Sequence, residues 1–183
     1  MAFEGTGFEG LLVYEPTVFG DERGYFFESY NSQTFKNAGL NIQFVQDNQS
    51  FSKYGVIRGL HFQLPPYAQC KLIRVLQGTI LDVVMDLRKS SSTFEKIYSI
   101  ELSSQNKKQL LVPKGFVHGF SVLSEEAVIM YKCDGFYNKE SEAGIVYNDP
   151  DLAIDWKIPA EKALVSEKDA LLPRYRNSIN NFD

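Results

Sequence analysis

The chain is predicted to be all-β, a double-sheet sandwich or barrel of which the jelly roll is one common solution, with a few short helices. Three observations carry this. Short apolar runs recur along the 183 residues, punctuated by Gly, Pro, Asn and Asp. The chain holds 14 Phe and 10 Tyr, aromatic side chains that suit a pleated surface better than a helix. Convincing helical periodicity is absent until a short segment at residues 167–172.

The elements follow in order. Residues 11–15 form a strand closed by Pro16, and Gly20-Asp21-Glu22-Arg23-Gly24 is turn chemistry ahead of an aromatic strand at 25–30. Residues 32–38 form a short helix, with Ser32 as N-cap and Gly39 as its stop. Strands at 43–46 and 56–63 are separated by polar residues around 48–53. The Leu64-Pro65-Pro66 bend then leads to residues 71–87, which Gln77-Gly78 divides into what reads as a hairpin. In its second strand Leu81, Val83, Met85 and Leu87 alternate with Asp82, Val84 and Asp86, an apolar face against one with two acids. Strands at 97–102, 109–112, 116–123 and 127–133 continue the pattern, with Pro113-Lys114-Gly115 as a turn. A last strand at 144–147 precedes the turn Asn148-Asp149-Pro150, and the polar tail 174–183 is expected to fray. No repeat, low-complexity tract or linker divides the sequence, so residues 1–183 are expected to form a single domain.

Composition narrows the function classes. The net charge is -4 and the charges are mixed along the chain, which argues against nucleic-acid or membrane-surface partners. The two cysteines, Cys70 and Cys133, make no disulfide framework and read as buried thiols of a cytosolic protein. Met1-Ala2-Phe3-Glu4-Gly5 lacks a basic region, and no segment approaches the roughly 20 apolar residues of a membrane span, so a soluble cytoplasmic protein is expected. His61 and His118 lie far apart with no His-x-His pair, a weak inventory for a metal. Gly-x-Ser-x-Gly, Gly-x-Gly-x-x-Gly and the phosphate-binding Gly-x-x-x-x-Gly-Lys-Ser/Thr loop are all absent.

Proton transfer remains. Residues 56–75 carry Arg58, His61, Lys71 and Arg74 on two strands around the Pro-Pro bend. A histidine exchanges protons near neutrality, a lysine can hold an oxyanion and an arginine can fork onto a phosphate. Each residue also has a plainer reading. His61 and His118 fit satisfied core histidines as well as catalytic ones, although the glycines around His118 suggest a bend or a close ligand approach. Tyr131 fits a strand tyrosine or an acid facing the base. Ser166-Glu167-Lys168-Asp169 resembles a capping box, and Arg23, Arg58 and Lys168 could be solvated charges.

Longer motifs resemble one family. Residues 20–30, Phe44-Val45-Gln46-Asp47-Asn48, Arg58-Gly59-Leu60-His61-Phe62-Gln63, Lys71, residues 82–88, residues 113–120, Tyr131-Lys132 and Ser166-Glu167-Lys168-Asp169 are similar, in order and over nearly the whole chain, to the dTDP-4-dehydrorhamnose 3,5-epimerases. The resemblance implies a cupin-type jelly roll, a homodimer exchanging N-terminal strands, and no metal or organic cofactor. It implies a dTDP-linked 4-keto-6-deoxy sugar as substrate, inverted at C3 and C5 on the way to L-rhamnose. By the same resemblance His61 is the base, Tyr131 the acid, Asp169 the partner of His61, and Lys71 the holder of the enolate oxygen. Arg23 and Arg58 match pyrophosphate contacts, Glu28, Gln46, Asp47 and Asn48 nucleotide contacts, and Tyr137 the aromatic that stacks on thymine. His118 matches a substrate contact, and Glu142 and Lys168 outer binding positions. If Arg58 and His61, three apart, line one pocket, Gly59 is expected to mark a bulge or twist.

The chain departs from the family at Ser91-Ser92-Thr93-Phe94-Glu95, where Ser-Pro-Thr-Phe-Gly is usual, and at Val117, where Ala is usual. The same motifs also fit a 3- or 5-epimerase acting at one carbon only, a ketoisomerase or epimerase of another nucleotide-linked ketosugar, and a sugar-nucleotide-binding cupin without turnover.

Overall fold

A computed structural model describes residues 2–183. One sheet has six strands in the order β1-β2-β10-β7-β12-β5, formed by Ala2–Gly5, Leu12–Glu15, Gln109–Val112, Lys71–Gln77, Glu126–Cys133 and Gln46–Lys53. The other has five in the order β13-β6-β11-β8-β9, formed by Glu142–Gly144, Ile57–Gln63, Phe116–Val122, Thr79–Asp86 and Ile97–Ser103. A separate hairpin pairs β3 (Phe19–Asp21) with β4 (Gly24–Phe26). Helices α1 (Ser32–Asn37) and α2 (Glu167–Ala170) are short. The two antiparallel sheets share a core that includes Ile73, Val75, Leu110 and Ile129 from one and Ile80, Val84, Phe116 and Phe120 from the other. This is the jelly roll the sequence predicts.

Each sheet is also covered outside, which explains why so many strands read as unbroken apolar runs. On the six-stranded sheet Tyr14, Leu72 and Leu111 pack under Phe35 of α1 with Phe3, Tyr30 and Phe44. On the five-stranded sheet Leu81, Val83, Met85 and Val117 pack under Trp156, Ile145 and Phe182 from the C-terminal part of the chain. The alternation read in β8 therefore separates two interiors, because its acid-bearing face turns into the barrel, where Asp82 and Asp86 are both 0% exposed. No helix of the described residues is long and apolar enough to cross a membrane.

Several boundaries differ from expectation, each for a physical reason. The segments on either side of Gly78 are not a hairpin: β7 pairs with β10 and β12, whereas β8 pairs with β11 and β9. Gly78, at φ 78°, turns the chain from one sheet into the other, and a Cβ there would lie 2.1 Å from the Glu126 carbonyl oxygen. The aromatic run at 25–30 leaves the ladder after Phe26, because Tyr30 packs edge-on against Phe35 and Phe44. Strand β5 begins at Gln46 and continues through the residues expected to be a connector, since an edge strand tolerates polar side chains on both faces.

The cap of α1 is Asn31 rather than Ser32; its Oδ1 accepts from the Gln33 and Thr34 N–H groups at 2.8 and 3.4 Å. The last strand is Glu142–Gly144 instead of 144–147, and helix α2 stops at Ala170. The tail, expected to fray, packs on the body of the molecule at two residues. Phe182 is buried against Phe62, and Asn180 Nδ2 donates to the Leu87 carbonyl at 2.8 Å. The altered turn at 91–95 hangs on Asp86, which accepts from the Ser91 and Thr93 hydroxyls at 2.6 and 2.7 Å, while Glu95 takes φ 62°, a conformation easiest for the usual Gly.

Candidate active site

Between the inner faces of the two sheets lies a cleft with adjoining lobes of about 180 and 310 Å³, and His61, Lys71 and Tyr131 line both. His61 comes from β6 of the five-stranded sheet, and Tyr131 from β12 of the six-stranded sheet. The imidazole and the phenol therefore enter from opposing walls.

A crossing of two glycines shapes the His61 side. Across the β6–β11 ladder His61 is opposite His118 and Arg58 is opposite Phe120, so β6 holds one extra residue there. Such a bulge twists the strand and lets residues three apart face one cavity; Arg58 and His61 both line the larger lobe. Gly59 sits at φ 111°, and a Cβ on it would lie 2.7 Å from Gly119 Cα, while one on Gly119 would lie 2.7 Å from the Arg58 carbonyl oxygen. Neither position has room for a side chain.

Asp169 on α2 holds His61 from behind, with its Oδ1 2.8 Å from His61 Nε2 and its Oδ2 accepting from the Gly59 N–H at 3.2 Å. Burial alone would raise this carboxyl's pKa; the hydrogen bond and charge of His61, with the Gly59 N–H, outweigh it and hold Asp169 below the usual carboxylate value. Ser166 caps α2 by accepting from the Asp169 N–H at 3.1 Å. One half of the expected capping box thus forms, while the Asp169 carboxylate serves the histidine. With Nε2 engaged, Nδ1 is the His61 nitrogen left for a substrate.

Lys71 opens β7 opposite Cys133, and its Nζ lies 5.9 Å from the centre of the Tyr131 ring. Burial pulls the Lys71 ammonium below its ordinary pKa, against the opposing pull of Cys133, Asp82 and Glu142. Burial pushes the Tyr131 phenol above its ordinary value, aided by Cys133 and opposed by Arg58. The phenol therefore keeps its proton through neutral pH. His118 also lines the larger lobe, with its Nε2 3.1 and 3.0 Å from the two oxygens of Asp82.

The remaining predicted residues divide. Gln46, Asn48, Tyr137 and Glu142 line the smaller lobe, where Gln46 Nε2 donates to Asn48 Oδ1 at 3.0 Å. Asp47, between them on β5, alternates to the other face and pairs with Lys132 at 2.9 Å. Glu142 accepts from Tyr137 at 2.8 Å and from Lys168 at 2.6 Å, joining the two lobes at their rim. Arg58 donates to Ser52 Oγ at 3.1 Å and to the Phe51 carbonyl at 3.3 Å. Arg23 and Glu28 do not reach this cleft: Arg23 is at the tip of the β3–β4 hairpin, paired with Asp21, and Glu28 follows β4. Ser50, Gln63 and Gln69 line the cleft without having been singled out in the sequence. Ser50 Oγ is buried and makes no hydrogen bond to another described residue. Cys70 and Cys133 are free and buried, and burial pushes the Cys70 thiol up to about 12. Among the described residues no group of three or more His, Cys, Asp or Glu gathers to hold a metal ion.

Fold and cleft together define a cupin-type jelly roll with a histidine and a tyrosine on opposite walls and a lysine beside them. The sequence profile of the dTDP-4-dehydrorhamnose 3,5-epimerases matches residues 5–177. The dTDP-4-dehydrorhamnose 3,5-epimerase of Shigella flexneri is 52% identical over 160 residues, 87% of either chain. The crystal structure of the enzyme of that name from Elizabethkingia anophelis superposes with a TM-score of 0.92 at 54% identity, covering 97% of both chains. A 3,5-epimerase from Legionella pneumophila, solved in complex with dTDP-4-keto-L-rhamnose, superposes with a TM-score of 0.87 at 44% identity, covering 95% of this chain and 98% of that one. The chain belongs to the dTDP-4-dehydrorhamnose 3,5-epimerase family.

Proposed function

We propose that this chain is a single-domain, cytoplasmic isomerase that inverts C3 and C5 of dTDP-4-dehydro-6-deoxy-D-glucose to give dTDP-4-dehydro-L-rhamnose. The C4 ketone acidifies the C–H bonds on either side of it, so the reaction asks for a base, an acid and a holder for the transient oxyanion. His61 Nδ1 takes the proton, and the imidazolium that forms is balanced by the ionised Asp169. The charge moves to O4 beside Lys71, help of a kind that contributes roughly 3–4 kcal/mol in other enzymes. Tyr131 returns a proton to the opposite face. Gln46, Asn48, Arg58, His118, Tyr137, Glu142 and Lys168 bind the nucleotide sugar. The observation that carries this reading is the opposition of His61 and Tyr131 across one cleft, which a mere binding protein has no need of.

Arg23 and Glu28 complete the nucleotide site of a second copy of the chain, in a homodimer that exchanges N-terminal strands. Supporting this, Phe19 and Phe26 on the same hairpin are 63% and 71% exposed and form an apolar face suited to a partner. Asp47 joins the nucleotide contacts through its backbone, its side chain being held by Lys132.

Incubation with dTDP-4-dehydro-6-deoxy-D-glucose in deuterated water, followed by NMR, tests the reaction. Deuterium at both C3 and C5 with inversion is expected. Exchange at one carbon would mark a single-site epimerase, and binding without exchange would leave only a sugar-nucleotide-binding protein.

A further inference from the structure

We propose that Asp82, which no step above uses, is the positioning residue of the oxyanion side: it fixes His118 so that Nδ1 is the ring nitrogen offered to the sugar. The proposal deepens the epimerase reading and rests on it.

Asp82 is on β8, 0% exposed, with both carboxylate oxygens within hydrogen-bond reach of His118 Nε2. A buried carboxylate is costly unless it is paired and hydrogen-bonded. Here the pairing is to a side chain that lines the cleft together with Lys71 and His61. A carboxylate against one imidazole nitrogen keeps the proton on that nitrogen and turns the other one outward. His118 and His61 face each other across the β6–β11 ladder, and each is held through Nε2 by a buried aspartate from a different element, β8 or α2. The two rings thus present the same nitrogen to one cleft. The charge of Asp82 also reaches Lys71, where it favours the ammonium against the effect of burial. One carboxylate that does not itself line the cleft therefore supports both Lys71 and His118, while Asp169 supports the base.

The chain has only two histidines, so the ring nitrogens of protein labelled with ¹⁵N-histidine can be assigned by comparison with His118→Gln. In the unliganded wild-type protein, His118 is expected to carry a proton on Nε2. A neutral ring protonated at Nδ1, with Nε2 bare, would overturn the proposal. This measurement needs neither turnover nor an Asp82 variant, so it remains decisive if Asp82→Asn fails to fold or if the wild-type enzyme turns out not to epimerise.

Asp82→Asn supplies the kinetic arm. By analogy with lost ligand-orienting partners elsewhere, kcat is expected to fall about 10- to 100-fold, with dTDP affinity by calorimetry within twofold of wild type. A kcat within twofold of wild type, or a fall matched by equal loss of dTDP binding, would show that Asp82 only holds the barrel together.

Discussion

Burial acts in opposite senses on two neighbouring side chains of the cleft, lowering the pKa of Lys71 and raising that of Tyr131. Lysine is useful here as a cation and tyrosine as a neutral acid. As pH rises, Lys71 loses its charge below lysine's ordinary 10.5, whereas Tyr131 keeps its proton beyond phenol's ordinary 10.0. The basic limb of kcat is therefore expected to belong to Lys71. Lys71→Arg, which stays charged, should lower kcat yet move that limb to higher pH; an unmoved limb would assign it to another group. The base and the acid separate differently. His61→Ala is expected to abolish deuterium exchange, by at least about 100-fold, the lower end for losing a general base. Tyr131→Phe should spoil inversion more than exchange, because abstraction can proceed without the phenol. Equal loss of both would refute that division of labour.

At the scale of elements, the β6–β11 crossing sets the site. Gly59 and Gly119 bring two backbones closer than any Cβ allows, and the extra residue in β6 brings Arg58 and His61 to one lobe. Gly59→Ala would combine a left-handed φ with a Cβ 2.7 Å from Gly119 Cα. Conformational strain of this kind costs about 1–3 kcal/mol, and relief of the clash must shift β6. Urea unfolding is expected to show a loss of that order, with exchange activity falling further than the folded fraction explains. Activity that simply follows the folded fraction would mean that the bulge does not position His61. Gly59 was readable as a bulge because Arg58 and His61 could not otherwise share a pocket. The need for room around His118 was readable too, but not that Gly119 makes way for the β6 backbone, sixty residues away in sequence, rather than for a ligand.

For the whole molecule, the question is how a hairpin away from the cleft serves it. Arg23 has 85% of its side chain exposed and pairs only locally, with Asp21. If exchanged strands deliver it to a partner, each site combines one chain's His61 with the other's Arg23. Co-expressed Arg23→Ala and His61→Ala chains should then form mixed dimers in which one site is intact. Purified mixed dimers are expected to recover up to about half of wild-type kcat/KM, a share that follows from one site in two. No recovery above the Arg23→Ala protein would place Arg23 outside the partner's site.

Strand content and most strand boundaries were legible in the chain, and the motifs pointed to His61, Tyr131 and Lys71, which the fold gathers at one cleft. Period-2 alternation and turn residues are local properties, and the motifs are contiguous. The sequence even displayed the two acids of β8 on one face, although not that this face looks inward. Tertiary structure alone decided which strands pair, so that Gly78 joins two sheets rather than closing a hairpin. It alone decided that the C-terminal tail docks through Phe182 and that Asp82 stands behind His118, whereas the pairing of Asp169 with His61 was legible only through the resemblance of the motifs and not from any local pattern. Those partnerships span tens to more than a hundred residues, and only the packing of two sheets and a short helix brings such distant carboxylates within hydrogen-bonding reach.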